Sequence, residues 1–176
     1  MELLLLSGNS VHTREWIEAV ERELKPLFSS TYIHYYNHWK TGEKIIDLNY
    51  ESDKLSTYLK DKQRYVIFGK SAGAVLALKC IFERKIDPTC CMFVGIPIHW
   101  CDSMNLPIRK WINNFKTQSY FIQKTNDPMI NFKHLTILLE EQKVKNAKVI
   151  EIMGEDHHYE NIIELKKCMK NLIRGE

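Results

Sequence analysis

Six short apolar runs, at residues 3–6, 32–36, 65–68, 90–94, 119–123 and 147–152, are separated by stretches long enough for a helix. No other feature restricts the fold as much. Strands this short and this apolar suit a sheet covered on both faces, and parallel strands need a long crossover between them, usually helical. The intervening segments supply it. Across residues 13–24, Trp16, Ile17, Val20 and Leu24 recur at three- and four-residue spacing, which gathers them on one stripe of a helix. Helices are also predicted near 50–60 and over 72–83, 129–142 and 159–172, with a weaker one at 103–115 that Pro107 must start or break. The expectation is an α/β protein, a three-layer doubly wound sandwich of six parallel strands with helices on both faces.

At 176 residues, with 44% of them hydrophobic, the chain can bury one substantial core and is too short for two ordinary domains, so a single domain over 1–176 is expected. Its net charge of +3 comes from lysines scattered among glutamates, which argues against nucleic acid or an anionic membrane as partner. Five cysteines, Cys80, Cys90, Cys91, Cys101 and Cys168, form no C-x-x-C pair and stand in apolar settings, as buried free thiols do in a reducing compartment. The opening Met1-Glu2-Leu3-Leu4-Leu5-Leu6 lacks the basic flank and cleavage site of a signal peptide, and no apolar stretch approaches the roughly 18 residues needed to span a bilayer. A soluble cytoplasmic protein, monomeric or a small homo-oligomer, is expected.

In doubly wound sheets the reactive groups collect in loops after the carboxyl ends of the strands. The loop after the third run is Gly69-Lys70-Ser71-Ala72-Gly73, wedged between Tyr65-Val66-Ile67-Phe68 and the helical Ala74-Val75-Leu76-Ala77-Leu78-Lys79-Cys80. A G-x-S-x-G pattern at a strand-to-helix junction is a nucleophile elbow, whose abrupt turn strains the serine backbone and admits only glycine or small neighbours. Ser71 is therefore the candidate nucleophile. A serine hydroxyl needs a histidine to take its proton and a carboxylate to orient that histidine. Asp127 follows the fifth run in Lys124-Thr125-Asn126-Asp127-Pro128, and His157 and His158 follow the sixth in Gly154-Glu155-Asp156-His157-His158-Tyr159. Asp127 equally suits a helix cap ahead of Pro128, with Asp102 as the fallback acid. Adjacent histidines leave the base open by one position.

Acyl transfer also requires two N–H groups aimed at the developing oxyanion. The amide of Ala72, directly after the serine at a helix start, is one candidate. Asn9 in the loop Ser7-Gly8-Asn9-Ser10 is the other, although that loop also reads as a turn with Ser10 or Thr13 capping the next helix. His38, Trp39 and Lys40 follow the second run and His99, Trp100 and Cys101 the fourth, making Trp39 and Trp100 the candidate substrate-binding residues, while packing is an equally ordinary role for them. Competing motifs fail. Gly69-Lys70-Ser71 ends like a Walker A loop, but Arg64 stands where its first glycine belongs, and no G-x-G-x-x-G occurs. His99, Cys101, His157 and His158 lack metal-ligand spacing, so neither metal nor cofactor is expected.

With these residues identified, nearly the whole chain resembles a small, cap-less serine hydrolase of the α/β-hydrolase superfamily. The resemblance is carried by Leu-Ser-Gly-Asn-Ser at 6–10, Gly-Lys-Ser-Ala-Gly at 69–73, Thr-Asn-Asp-Pro at 125–128 and Gly-Glu-Asp-His-His-Tyr at 154–159, in the chain order Ser, Asp, His. It implies Ser71 as nucleophile, Asp127 as acid and His157, flanked by Asp156 and Tyr159, as base. It maps Asn9 to the residue after a histidine-glycine turn of larger relatives, whose histidine is Ser7 here. It further implies a minimal sheet ordered 2-1-3-4-5-6 and hydrolysis of a small-molecule ester or thioester. The alternative is a non-catalytic binding or scaffold module that retains the fold.

Overall fold

A computed structural model describes residues 1–175. Its sheet has six strands, β1 Glu2–Leu6, β2 Ser30–His34, β3 Tyr65–Lys70, β4 Cys90–Val94, β5 Ser119–Lys124 and β6 Ala147–Ile152. All pairings are parallel and the order is β2-β1-β3-β4-β5-β6, as expected from the sequence. The order reverses at β1, which pairs with β2 on one side and β3 on the other. In that register Leu6 lies opposite Gly69, so the loops after β1 and β3 leave the sheet side by side and open a crevice there.

Helices α1 Arg14–Leu24 and α8 Ile162–Arg174 cover one face. The stripe foreseen on α1 is buried through Ile17, Val20 and Leu24 against Leu3, Leu5, Val66 and Phe68. Burial of each such side chain contributes about 1.5–3 kcal/mol. The other face carries α3 Leu48–Leu59, α4 Ala72–Phe82 and α7 Phe132–Glu141, packed on Leu4, Leu6, Ile67, Cys91 and Phe93. Helix α4 is buried from Ala72 to Cys80 and apolar there except for Lys79, so it is the central helix of that layer. Gly73 lets it approach β1, since a Cβ there would lie 2.3 Å from the Leu6 carbonyl oxygen.

Three stretches differ from the sequence reading. The chain leaves the sheet at His34 and the second strand does not extend to Tyr36, because the Tyr36 ring turns into the core and its hydroxyl donates to the Ser7 carbonyl at 2.8 Å. A short helix, α2 His38–Thr41, follows and ends on left-handed Gly42. Within the weak helical region 103–115 Pro107 starts the short α6 Ile108–Ile112, and a separate helix, α5 Ile98–Ser103, precedes that region. Helices α7 and α8 begin three residues later than their apolar patterns suggest, where Asn131 and Asn161 cap their first turns. All five cysteines are buried free thiols, and no described helix is long and apolar enough to cross a membrane.

Candidate active site

The loop after β3 turns directly into α4 through Ser71, whose φ of 52° and ψ of −119° are unusual for a residue with a side chain. Such a backbone costs of order 1–3 kcal/mol and persists only where its surroundings impose it. Here they do: the Ser71 N–H donates to the Val94 carbonyl at 3.0 Å, and a Cβ on Gly69 would meet Ala74 Cα at 2.9 Å. The elbow lifts Ser71 above the sheet with its side chain partly exposed.

Residues from three strand ends converge on that serine. His157 Nε2 is 3.0 Å from Ser71 Oγ, and His157 Nδ1 is 2.8 Å from Asp127 Oδ2 and 3.0 Å from Oδ1. The ionised carboxylate only accepts, so Nδ1 carries the imidazole proton and Nε2 is left to accept from the serine hydroxyl. This is the tautomer a general base requires. His158 is exposed and apart from this chain of bonds, and Asp102 is engaged by Arg109 at 2.5 Å, which holds its carboxyl below the usual range.

Asp127 does not cap a helix, because α7 starts only at Phe132 under Asn131. Asp127 Oδ1 also accepts the Met129 N–H at 2.8 Å in a local turn, while its side chain is fully buried. Tyr159, noted in the sequence only as a neighbour of the histidine, donates its hydroxyl to Asp127 Oδ2 at 2.8 Å and accepts the Lys124 N–H at 3.0 Å. Burial, reinforced by the adjacent carboxylate, raises the Tyr159 phenol far above its ordinary range, so it remains a donor. Gly95 at the tip of β4 makes room for the histidine loop: its φ is 61°, and a Cβ there would approach Tyr159 Cε2 to 2.6 Å and His157 Cε1 to 3.0 Å.

The loop after β1 faces the elbow and is held from behind. The Asn9 carbonyl accepts from His38 Nε2 at 2.7 Å and Trp39 Nε1 at 2.8 Å, and the Asn9 side chain bridges the Ile46 N–H and the Lys44 carbonyl, each at 2.8 Å. Helix α2 is positioned in turn by buried Glu51, which bonds His34 at 2.7 Å and the Asn37 N–H at 2.5 Å. Desolvation works to raise the Glu51 carboxyl, but these bonds outweigh it and the net shift is downward. Ser7 replaces the expected histidine with a hydroxyl that donates to Thr13 Oγ1 at 2.8 Å, fixing the loop to the start of α1. Among the described residues no acceptor takes the N–H of Ala72 or of Asn9. Trp39 thus anchors the loop through its indole N–H, and Trp100 on α5 lies partly buried against the core. No three described His, Cys, Asp or Glu side chains gather as a metal site would require.

The strand order, the elbow after β3 and the histidine loop after β6 together define the α/β-hydrolase fold. Solved structures with the same architecture include an esterase from Pyrococcus furiosus (TM-score 0.76, 19% identity, 98% of this chain and 82% of that one). They also include alpha/beta hydrolase domain-containing protein 10 from mouse (TM-score 0.73, 13% identity, 99% and 90%) and a monoacylglycerol lipase from Paleococcus ferrophilus (TM-score 0.71, 12% identity, 99% and 95%). At such identities the likeness is one of fold. No protein-family model and no curated protein sequence matches the chain.

Proposed function

We propose that this chain is a serine hydrolase that cleaves small esters or thioesters through an acyl-enzyme on Ser71. The observation that carries the reading is the unbroken series of hydrogen bonds from Ser71, a strained serine at the N-terminus of a buried helix, through His157 to Asp127. In the first half-reaction Ser71 Oγ attacks the acyl carbon as its proton passes to His157 Nε2, and Asp127 stabilises the imidazolium. The amides of Ala72 and Asn9 take the oxyanion, each contributing on the order of 10²–10³ in rate. The bond from the acyl carbon to the leaving oxygen or sulfur then breaks, and His157 returns the proton to the departing group. Water completes the cycle by the same route: it loses a proton to His157, adds to the acyl carbon, and Ser71 leaves with that proton. The neighbouring esterase and lipase folds agree with this chemistry.

A fluorophosphonate probe with peptide mass spectrometry tests the proposal. Phosphonylation of Ser71 that disappears in folded Ser71→Ala is expected, together with hydrolysis of 4-nitrophenyl butyrate. A folded wild-type protein that neither labels nor hydrolyses the ester would make the chain a non-catalytic module.

A further inference from the structure

Lys70 is the residue between Gly69 and Ser71, and the triad does not use it. Two-residue alternation along β3 sends its side chain to the face of Val66 and Phe68, the one covered by α1 and α8. The whole residue is 7% exposed, and its ammonium has no ion pair or hydrogen bond among the described residues and touches solvent only through the cavity beside it. Buried lysines are almost always paired, because an ammonium out of water without a counter-ion is costly. Burial accordingly lowers Lys70 to about 8, and the field of Asp127 only partly opposes this. Asp127 cannot serve as its partner, since that carboxylate is already occupied by His157, Tyr159 and Met129.

The lysine instead borders a cavity of about 420 Å³ walled by Trp16, Tyr159, Thr13 and Ser10. Most of the available side-chain hydrogen bonds around it are closed. Trp16 donates to the Tyr159 carbonyl at 2.9 Å, Tyr159 to Asp127, and Thr13 to the Ser10 carbonyl at 2.6 Å. His12, His158 and Glu160 stand exposed at its mouth, and none is within ion-pair reach of Lys70. The cavity is lined by chain neighbours of Ser71, His157 and Asn9 and not by those residues themselves. Lys70 is bonded to Ser71, His158 and Tyr159 follow His157, and Lys70 Nζ lies 3.6 Å from the Cβ position of Gly8, beside the Asn9 oxyanion candidate. An apolar chamber of this size with one unpaired cation suits a short carbon chain ending in a negative charge.

We propose that Lys70 is a substrate-binding residue whose ammonium receives a carboxylate carried by the ester, so that the substrates are half-esters or acyl compounds with an acidic end. This deepens the hydrolase reading and rests on it. Two matched pairs of esters test it. One puts the charge on the acyl side, mono-4-nitrophenyl glutarate against its methyl ester. The other puts it on the alcohol side, the butyrate ester of 4-hydroxybenzoate against its methyl ester. The wild-type protein is expected to favour the acidic member of one pair by about tenfold to a hundredfold in kcat/KM, the range of a hydrogen bond to a charged group. Lys70→Met should abolish that ratio and Lys70→Arg should retain part of it. Equal kcat/KM within both pairs, or a ratio unchanged in Lys70→Met, overturns the inference and leaves hydrolysis by Ser71 standing. Calorimetric titration of glutarate into wild type and Lys70→Met reads the same contact without turnover. Binding at least tenfold weaker in the variant supports the anion site even if the fluorophosphonate fails to label Ser71, and absent or equal binding overturns it.

Discussion

Replacing Lys70 by methionine should make the protein more stable at neutral pH, against the usual direction for a buried substitution. The magnitude follows from the lysine's environment. Burial takes its pKa from the ordinary 10.5 to about 8. At about 1.4 kcal/mol per tenfold change, the folded state bears a penalty of about 3 kcal/mol for keeping it charged. The penalty is complete below pH 8, where folded and unfolded chains both hold the proton. Between pH 8 and 10.5 the unfolded chain binds more protons than the folded one, so stability rises with pH, and above that window the penalty is gone. Asp127, Glu160, His12, His157 and His158, the titratable groups around this lysine, are common to both proteins and largely cancel in the comparison. Methionine keeps the apolar stem and omits the charge. Urea denaturation should therefore place Lys70→Met about 2–3 kcal/mol above wild type at pH 7, a midpoint about 1 M higher for an m-value of about 2 kcal/mol/M. The gap should close toward pH 10.5. A variant no more stable than wild type at pH 7, or a gap independent of pH, would refute the view of Lys70 as an unpaired buried cation.

The remaining predictions concern the site and its supports. Asp127→Asn should lower kcat on the order of 10⁴-fold by favouring the wrong imidazole tautomer, measured on 4-nitrophenyl butyrate; undiminished turnover would remove Asp127 from the mechanism. Tyr159→Phe removes the hydroxyl between Asp127 and the Lys124 N–H, so kcat should fall about tenfold with KM little changed, and a thermal melt should show a loss of about 1–3 kcal/mol. Equal kcat would reduce Tyr159 to packing. Gly73→Ala puts a methyl group 2.3 Å from the Leu6 carbonyl oxygen and should cost about 3 kcal/mol or more, seen as a lower denaturation midpoint or loss of soluble protein. A near-wild-type midpoint would mean that α4 and β1 can separate without cost.

What the sequence disclosed, and what it did not, divides along local and distant causes. Strands β4 and β6 occupy the expected residues, and each is followed within two residues by a glycine of positive φ, Gly95 and Gly154. Likewise Ser71 and its small neighbours need only their own backbone to signal an abrupt turn. Tyr35 and Tyr36 extend the aromatic pattern of the second strand two residues past its end at His34. What removes Tyr36 from the sheet is a distant carbonyl, that of Ser7. The starts of α7 and α8 fall later than the apolar pattern suggests, since Ile130 and Tyr159 are buried as loop residues ahead of them. The supports of the site were less legible still. Glu51 looks like an ordinary surface glutamate of an amphipathic helix, and His38 and Trp39 like loop aromatics. Their bonds to Asn37 and Asn9 exist only once β1 and β2 are paired. The unpaired state of Lys70 was equally hidden, because a lysine in a turn reads as solvated until α1 and the histidine loop cover it.

Ser71 and His157 are separated by 86 positions along the chain, and β4, β5 and β6 must be laid down in between. A nascent polypeptide therefore carries its serine for 86 further residues as an ordinary alcohol. On the proposed mechanism, reactivity begins when the last strand docks at the edge of the sheet, which protects the growing chain, and whatever surrounds it, from premature acylation.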